Sequence, residues 1–291
     1  MDVVRFMGGL GNQMFQYAFL KSLEKKGRNV VGSLGYYKLH PDQMQYELGD
    51  VFDNVHMKTE TDEEFMKSYE QWCKIKDNSK KREEFERNIE NRFFWVEGVS
   101  EHGCYVPDVY STKNCAFVGY WQSYKYFKDL NEELRSQFRF SSDDDYLTKL
   151  IKNVSSSHRY VSVHVRRGDY IKKKELYGDI CNDMYYQKAV EVMKKKIVDP
   201  IFILFCDDFK WCQNQRIGNY EVIDRNCFAE YKNWYDMYIM SRCAGNIIAN
   251  SSFSWWGAWQ NQRRDKIVIA PSKWAHDSEY KDICPEDWIR L

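Results

Sequence analysis

Apolar runs of strand length recur through the second half of the chain, each set apart from the next by enough residues for a helix. Tyr160 to Arg166, Ile201 to Cys206, Glu221 to Ile223, Asn246 to Ala249 and Lys266 to Ala270 predict strands, with helices between them, notably Tyr185 to Lys196 and Phe228 to Ala244. Strands alternating with helices form parallel sheets, because a parallel neighbour is reached only by a long crossover. The first half opens in the same way. A strand from Asp2 to Met7 is broken by Gly8, Gly9 and Gly11; a helix follows from about Asn12 to Lys26, Gly27 closes it, and a second strand runs from Asn29 to Leu34. The expected fold class is α/β, with two Rossmann-like domains facing across a cleft and ligand at the carboxyl ends of the strands.

The polar stretch from Ser141 to His158 places the boundary, giving domains 1–155 and 156–291. Its SSDDD run reads as an N-capping segment for a helix from Tyr146 to Val154 in preference to an acidic metal cluster. From about Glu60 to Phe94 the chain is densely and evenly charged, which predicts one or two exposed amphipathic helices in a solvated insertion.

Composition narrows the function classes. With 291 residues, 43% of them hydrophobic, there is material for two cores. Forty-three basic residues balance forty-three acidic ones, so the electrostatic footprint of a nucleic-acid binder is missing. The nine cysteines show no CxxC spacing, which leaves a zinc site unsupported, and several sit in apolar runs where a reduced thiol acts as a small hydrophobe. No apolar run reaches the roughly eighteen residues of a membrane span, and the first residues lead directly into a strand. The expected location is the cytoplasm, with peripheral contact to a membrane surface left open.

Three motifs carry chemistry. In VSVHVRRGDY, from Val161 to Tyr170, alternation puts Val161, Val163 and Val165 on one face and Ser162, His164 and Arg166 on the other. Arg166 then projects beside His164 near the strand's carboxyl end, where a guanidinium fork suits a diphosphate, while Arg167 points the opposite way into a structural ion pair. The same arginines also suit two structural ion pairs, for instance with Asp169 and Asp208. In AGNIIANSSFSWWGAW, from Ala244 to Trp259, a buried strand ends at Asn250 and a helix begins after Ser251 and Ser252. That turn fits a second phosphate contact, and it fits a plain helix cap equally well.

The third motif, MGGLGNQMFQYAF, lacks the G-x-G-x-x-G spacing of a dinucleotide loop, since Gly9 and Gly11 are followed by Met14, and no acidic residue ends the second strand. Gly9 lets backbone approach a ligand, and Asn12 and Gln13 are placed to hydrogen-bond sugar hydroxyls. Two further carboxylate positions stand out. Asp207 and Asp208 follow the apolar run IFILF and suit either ribose or a helix cap; Asp236 interrupts an otherwise apolar helix and needs a partner, which a guanine's N–H groups would supply.

Together these segments resemble glycosyltransferase family 11, the α-1,2-fucosyltransferases. GGLGNQMFQYAF, GYWQSYKYF from Gly119 to Phe127, HVRRGDY and IIANSSFSWWGAW match in order across nearly the whole chain, least clearly between about Lys58 and Asn91. The resemblance implies a GT-B fold, an inverting reaction, no metal or other cofactor, and GDP held mainly by the second domain with the acceptor on the first. It implies GDP-fucose as donor and a glycan acceptor ending in β-galactoside. It further implies that Arg166 binds the diphosphate, that His164 lies alongside the nucleotide, that Asp236 reads guanine and that Ser252 touches phosphate. The chain departs from the family's S-D-D motif in having Cys206 before Asp207 and Asp208, with Trp211 further on.

The expected chemistry is attack by an acceptor hydroxyl on the anomeric carbon, opposite a departing diphosphate whose growing charge Arg166 stabilises. Asp169 is the nearest carboxylate by motif to take the acceptor's proton, with Glu175 following in the loop; Asp169 equally suits pinning Arg167 or the turn. Competing readings are another nucleotide-deoxysugar donor, a non-catalytic glycan-binding protein using its tryptophans, and a nicotinamide-dependent oxidoreductase, which lacks its fingerprint.

Overall fold

A computed structural model describes residues 1–42, 44–60, 71, 74–75, 93–98, 101–168, 170, 173–207, 211 and 220–291. The expected opening is formed by β1 (Asp2–Arg5), α1 (Leu10–Lys25) and β2 (Val30–Ser33). Helix α1 has almost no polar face, as befits a helix buried on nearly all sides. Phe15, Ala18 and Phe19 are fully buried, and Phe19 stacks on Trp121 at 4.2 Å while meeting Phe117 edge-on at 5.3 Å. Then come α2 (Gly35–Leu39), α3 (Leu48–Val51), β3 (Thr59–Glu60), β4 (Phe93–Val96), β5 (Cys115–Val118) and α4 (Asn131–Gln137). The sheet runs β3-β2-β1-β5-β4, parallel throughout.

The second unit contains α5 (Asp145–Ser156), β6 (Tyr160–Val165), α6 (Lys174–Tyr177), α7 (Asp183–Lys196), β7 (Ile201–Cys206) and β8 (Tyr220–Val222). It continues with α8 (Trp234–Met240), β9 (Gly245–Ile247), α9 (Ser252–Gln260), β10 (Ile267–Ala270) and β11 (Ile289–Arg290). Its sheet, β11-β10-β9-β6-β7-β8, is again all parallel. Two parallel-sheet α/β units in one chain are the parts of a GT-B fold, as the sequence led us to expect.

Strand β6 sits inside the second sheet, between β9 and β7, and its two faces divide as alternation requires. Val161, Val163 and Val165 pack with Tyr186, Ala189 and Met193 of α7. On the other face Ser162 accepts a hydrogen bond from Asn246 at 2.7 Å.

The division between units differs from the expected one after residue 155. One unit comprises Met1–Arg139 with Lys281–Ile283, the other Phe140–Tyr280 with Cys284–Leu291. Helix α5 belongs to the second unit because Leu147 and Val154 bury against Ile203 and Phe205 of β7 and Ile239 of α8. Asp282 belongs to the first: its carboxylate holds Lys125 Nζ at 2.6 Å and accepts the Tyr105 N–H at 2.9 Å. The SSDDD run does cap α5, Asp144 Oδ1 accepting from the Leu147 N–H at 2.8 Å. The other Asp144 oxygen takes the Ala229 N–H at 3.2 Å, and the helix expected from Phe228 begins only at Trp234.

The charged segment from Glu60 to Phe94 falls mostly outside the described residues, as do Asp169 and Asp208. Among the described residues, no helix is long and apolar enough to cross a membrane, and the seven described cysteines are all free.

Candidate active site

At the carboxyl end of β6 the strand stops at Val165, one residue earlier than expected. Asp207, immediately after β7, supplies the cause. Its Oδ1 accepts the Arg167 N–H at 2.8 Å and its Oδ2 the Gly168 N–H at 3.0 Å. A carboxylate drawing in two successive amides turns the chain, so strand alternation lapses. Arg167 therefore does not point away from Arg166, as alternation predicted; both line one cavity of about 190 Å³. Gly168 permits the turn, since a Cβ there would stand 3.1 Å from Asp207 Oδ2.

The guanidinium of Arg166 lies 3.5 Å from Asp207 Oδ2, with its side chain 35% exposed, and 5.9 Å from the centre of the Tyr170 ring. Arg167 stacks over Trp211 at 4.6 Å, a cation–π contact. Tyr170 and Tyr177 stack at 4.4 Å to form a wall of the cavity, and the Tyr170 hydroxyl donates to the Asn250 carbonyl at 2.8 Å. That bond ties the loop after β6 to the turn before α9. Lys174 also lines the cavity, 3.8 Å from Asp179.

His164 is buried beside this charge. Burial first, and the Arg166 guanidinium second, hold its imidazole down to about 3, so the ring is neutral at any physiological pH. Its Nδ1 is buried with no hydrogen-bond partner among the described residues, and its ring centre lies 6.0 Å from that of Phe253.

At the β9–α9 turn, Asn250 is buried and its Nδ2 donates to the Trp274 carbonyl at 2.8 Å. Ser251 occupies the N-cap position of α9 without a side-chain capping bond, and Ser252 opens the helix. Asp236, on α8, has protein partners: the Tyr231 hydroxyl donates to Oδ1 and Arg225 Nη2 donates to Oδ2 at 3.2 Å. Burial raises its pKa, opposed by these two partners. It is not among the residues lining the cavity.

In the first unit, the glycine that needs its freedom is Gly8, at φ +78°; Gly9 has φ −80° and takes the N-cap position of α1. Gln13, expected to meet sugar hydroxyls, is corrected by its surroundings. It is completely buried, its Nε2 donates to the Gly8 and Gln45 carbonyls at 3.0 and 2.9 Å, and its Oε1 accepts the Glu47 and Leu48 N–H groups at 2.9 and 3.0 Å. All four hydrogen-bonding positions of the amide are filled. Gln13 fastens the 45–48 segment to the glycine loop. Asn12 is half-buried, with its Oδ1 accepting from Gln122 at 2.9 Å.

The cavity thus brings Arg166 and Asn250 together, with His164 within reach of the arginine's charge. It also gathers Lys174 and Tyr177, which sit in a polar stretch without periodicity and gave no sequence signal. Glu97, after β4, was missed as well: it is 6% exposed, and burial pushes its carboxyl up to about 7.

Two parallel-sheet units, one with a guanidinium-lined cavity at a strand end, define an α/β protein of the Rossmann-like class. Within it, the chain belongs to glycosyl transferase family 11, whose sequence pattern matches residues 1–291. It is 32% identical over 309 aligned positions to an alpha-1,2-colitosyltransferase of Escherichia coli, covering 99% of this chain and 98% of that one. Identity to the O-antigen biosynthesis glycosyltransferase WbnK of Escherichia coli is 30% over 319 positions, covering 98% of each. Identity to galactoside alpha-(1,2)-fucosyltransferase 2 of Gorilla gorilla gorilla is 25% over 271 positions, covering 89% of this chain and 68% of the relative.

Proposed function

We propose that this chain is an inverting, metal-independent glycosyltransferase that moves L-fucose from GDP-β-L-fucose to the 2-hydroxyl of a terminal β-galactoside, forming an α-1,2 linkage. The carrying observation is the cavity at the end of β6, where Arg166 and Arg167 converge beside Asn250. At about 190 Å³ it is below the roughly 300 Å³ at which drug-sized ligand sites begin, and suits a diphosphate better than a whole nucleotide.

In this reading Arg166 faces the leaving diphosphate. The acceptor oxygen bonds to the anomeric carbon as the carbon–oxygen bond to phosphate breaks, and the electron pair leaves with GDP. The fixed charge of a guanidinium at the cavity wall is attracted more strongly as that negative charge grows, so it favours the transition state over the bound substrate. Ser251 and Ser252, at the start of α9, offer hydroxyl and backbone N–H groups to the same anion. His164, held neutral, packs beside the nucleotide without adding charge, and Asp236 reads guanine by exchanging the Tyr231 or Arg225 bond for the base. The second unit holds the donor and the first the acceptor, at its rim of Gly9 and Asn12. The work is done at the cytoplasmic face of a membrane or in the cytoplasm itself.

A second donor is favoured by one specific observation. The colitosyltransferase relative is more similar to this chain than the fucosyltransferase relative is, 32% against 25%. Colitose lacks the 3-hydroxyl that fucose carries, so the two donors differ by one polar group. Incubating the protein with GDP-fucose or GDP-colitose and β-galactoside-terminated glycans, followed by linkage analysis, tests both. We expect α-1,2-fucosylated product; colitosyl transfer alone would replace the donor, and no transfer from either would overturn the reading. In thermal shift, GDP stabilises and UDP and dTDP do not.

A further inference from the structure

The carboxyl end of the first sheet carries an acid that the account above does not use. Glu97 follows β4 directly, and its amide donates to the Val118 carbonyl at 2.8 Å, keeping it in register with β5. Its side chain folds across the start of the next turn, where Oε2 accepts the Tyr120 N–H at 2.7 Å and the Trp121 N–H at 3.3 Å. Both bonds end on Oε2; among the described residues no hydrogen bond to Oε1 is present.

The backbone is shaped around this carboxylate. A Cβ on Gly119 would stand 2.6 Å from Glu97 Cβ and 2.7 Å from Oε2, so only glycine admits the side chain. Trp121 is nearly fully buried and adopts φ +55°, left-handed backbone that a bulky residue holds only when its surroundings enforce it. Such strain gathers at functional sites. The turn is fastened to the first turns of α1, the element after β1, since Gln16 Nε2 donates to the Gly119 carbonyl at 3.0 Å and Gln122 Nε2 to Asn12 Oδ1 at 2.9 Å. The segments after β1, β4 and β5 therefore converge at the sheet's carboxyl end, where open parallel sheets take their ligands.

We infer that Glu97 is the proton acceptor for the incoming hydroxyl: its carboxylate takes the acceptor's proton as the oxygen bonds to the anomeric carbon and the nucleoside diphosphate leaves with the electron pair. This rests on the transferase reading given above. The two amides on Oε2 fix the side chain, and Oε1 is the oxygen offered to the hydroxyl.

Burial pushes the Glu97 carboxyl up to about 7; the amides of Tyr120 and Trp121 and the imidazole of His102 oppose that rise, and Glu101 adds to it. The phenols of Tyr120 and Tyr126 also feel its charge. A base with a pKa near the working pH combines a useful ionised fraction with real basicity. Asp169, expected in this role from its motif, supplies the control.

The test is transfer by the full-length protein from about pH 5 to pH 9, for wild type, Glu97→Gln and Asp169→Asn, with melting temperature and GDP thermal shift measured on each. Wild-type kcat is expected to fall on the acid side with an apparent pKa near 7. Glu97→Gln should lose that limb and about a hundredfold or more in kcat, while GDP still shifts its melting temperature, because glutamine's Oε1 can still accept the two amides. A folded Glu97→Gln that keeps the acid limb, or transfers within threefold of wild type, overturns the assignment. So does a limb that only Asp169→Asn removes. Should the glutamine variant not fold, a wild-type profile flat across this range is enough to overturn it. A wild type that transfers no sugar at all defeats the parent reading, and this one with it.

Discussion

At the rim of the first sheet a buried carboxyl, Glu97, is pushed up to about 7; at the rim of the second a buried imidazole, His164, is held down to about 3. Desolvation is the larger cause in both, and in both it favours the neutral form. The consequences differ. Glu97 is left titrating near neutral pH and is braced by two amide donors, so its charge can come and go. His164 is left without a charge to give, and the positive charge beside it, on Arg166, is permanent. One rim is suited to moving a proton and the other to holding a fixed charge against an anion. Burial alone does not make a group catalytic; what matters is where it leaves the pKa.

The largest effect should come from removing the fixed charge. Arg166→Ala is expected to lower kcat by about a hundred- to a thousandfold, roughly 3–4 kcal/mol of barrier, the loss typical of one preorganised donor. Its melting temperature should stay close to wild type, because the side chain is 35% exposed and its Asp207 contact is a loose 3.5 Å. Arg167→Ala should show the reverse emphasis, losing more stability and less turnover, since its guanidinium covers Trp211. Steady-state kinetics beside thermal melting decides this. Near-wild-type turnover by a folded Arg166→Ala protein would remove the second rim's half of the comparison.

Next in size is a stability effect at the first rim. Gln13→Leu leaves the Glu47 and Leu48 N–H groups and the Gln45 carbonyl without their partner, while Gly8 keeps the Tyr37 hydroxyl at 2.8 Å. An unsatisfied buried group costs about 1–3 kcal/mol; Leu48 is buried and Glu47 half-buried, while water can take over at the exposed Gln45, so a loss of roughly 2–5 kcal/mol is expected in urea unfolding. A loss below about 1 kcal/mol would mean the glycine loop is not held as described.

The two buried groups also make opposite pH predictions. The Glu97 pKa in the folded chain lies above its ordinary 4.5, so the stability it contributes is present below that value and lost as pH rises toward 7. The His164 pKa lies below its ordinary 6.5, so its contribution is present above that value and lost as pH falls toward 3. Urea unfolding of Glu97→Gln should therefore show a flatter decline between about pH 4.5 and 7, and His164→Gln a flatter decline below about pH 6.5. If both variants keep the wild-type slopes, the contrast between the rims is lost.

These differences explain what the sequence could and could not convey. The faces of β6 were legible because apolar residues alternate strictly from Val161 to Val165, and the core shared with α7 takes all three valines. The direction of Arg167 was not, since it depends on Asp207, some forty residues away, drawing in two amides. Gln13 was misread for a related reason. A polar residue beside a glycine loop suggests a ligand, and only the fold shows four backbone partners already in place. Glu97 was hidden differently. Strand β4 emerges from a charged segment whose pattern suggests helices, and nothing in FFWVEG announces a burial that depends on Gly119. The boundary moved because the polar SSDDD run hides how Leu147 and Val154 of α5 fill a core built from β7 and α8. Periodicity reports faces; it does not report which distant groups will meet.

The smallest expected effect is at Lys174, and it separates binding from stability most cleanly. Its ammonium lines the cavity with Arg166, yet its ion pair with Asp179 is 3.8 Å long, with the two side chains 74% and 79% exposed. Exposed pairs of this kind contribute at most about 1 kcal/mol, and often nothing measurable. Lys174→Ala should therefore leave the melting temperature within error of wild type. If a diphosphate occupies the cavity, the same change should weaken GDP binding a few-fold and reduce its salt dependence, because one screened attraction is gone. Titration of GDP at low and at physiological salt measures this directly. An unchanged salt slope would place the anion away from the α6 side of the cavity, leaving Arg166 and the start of α9 to hold it.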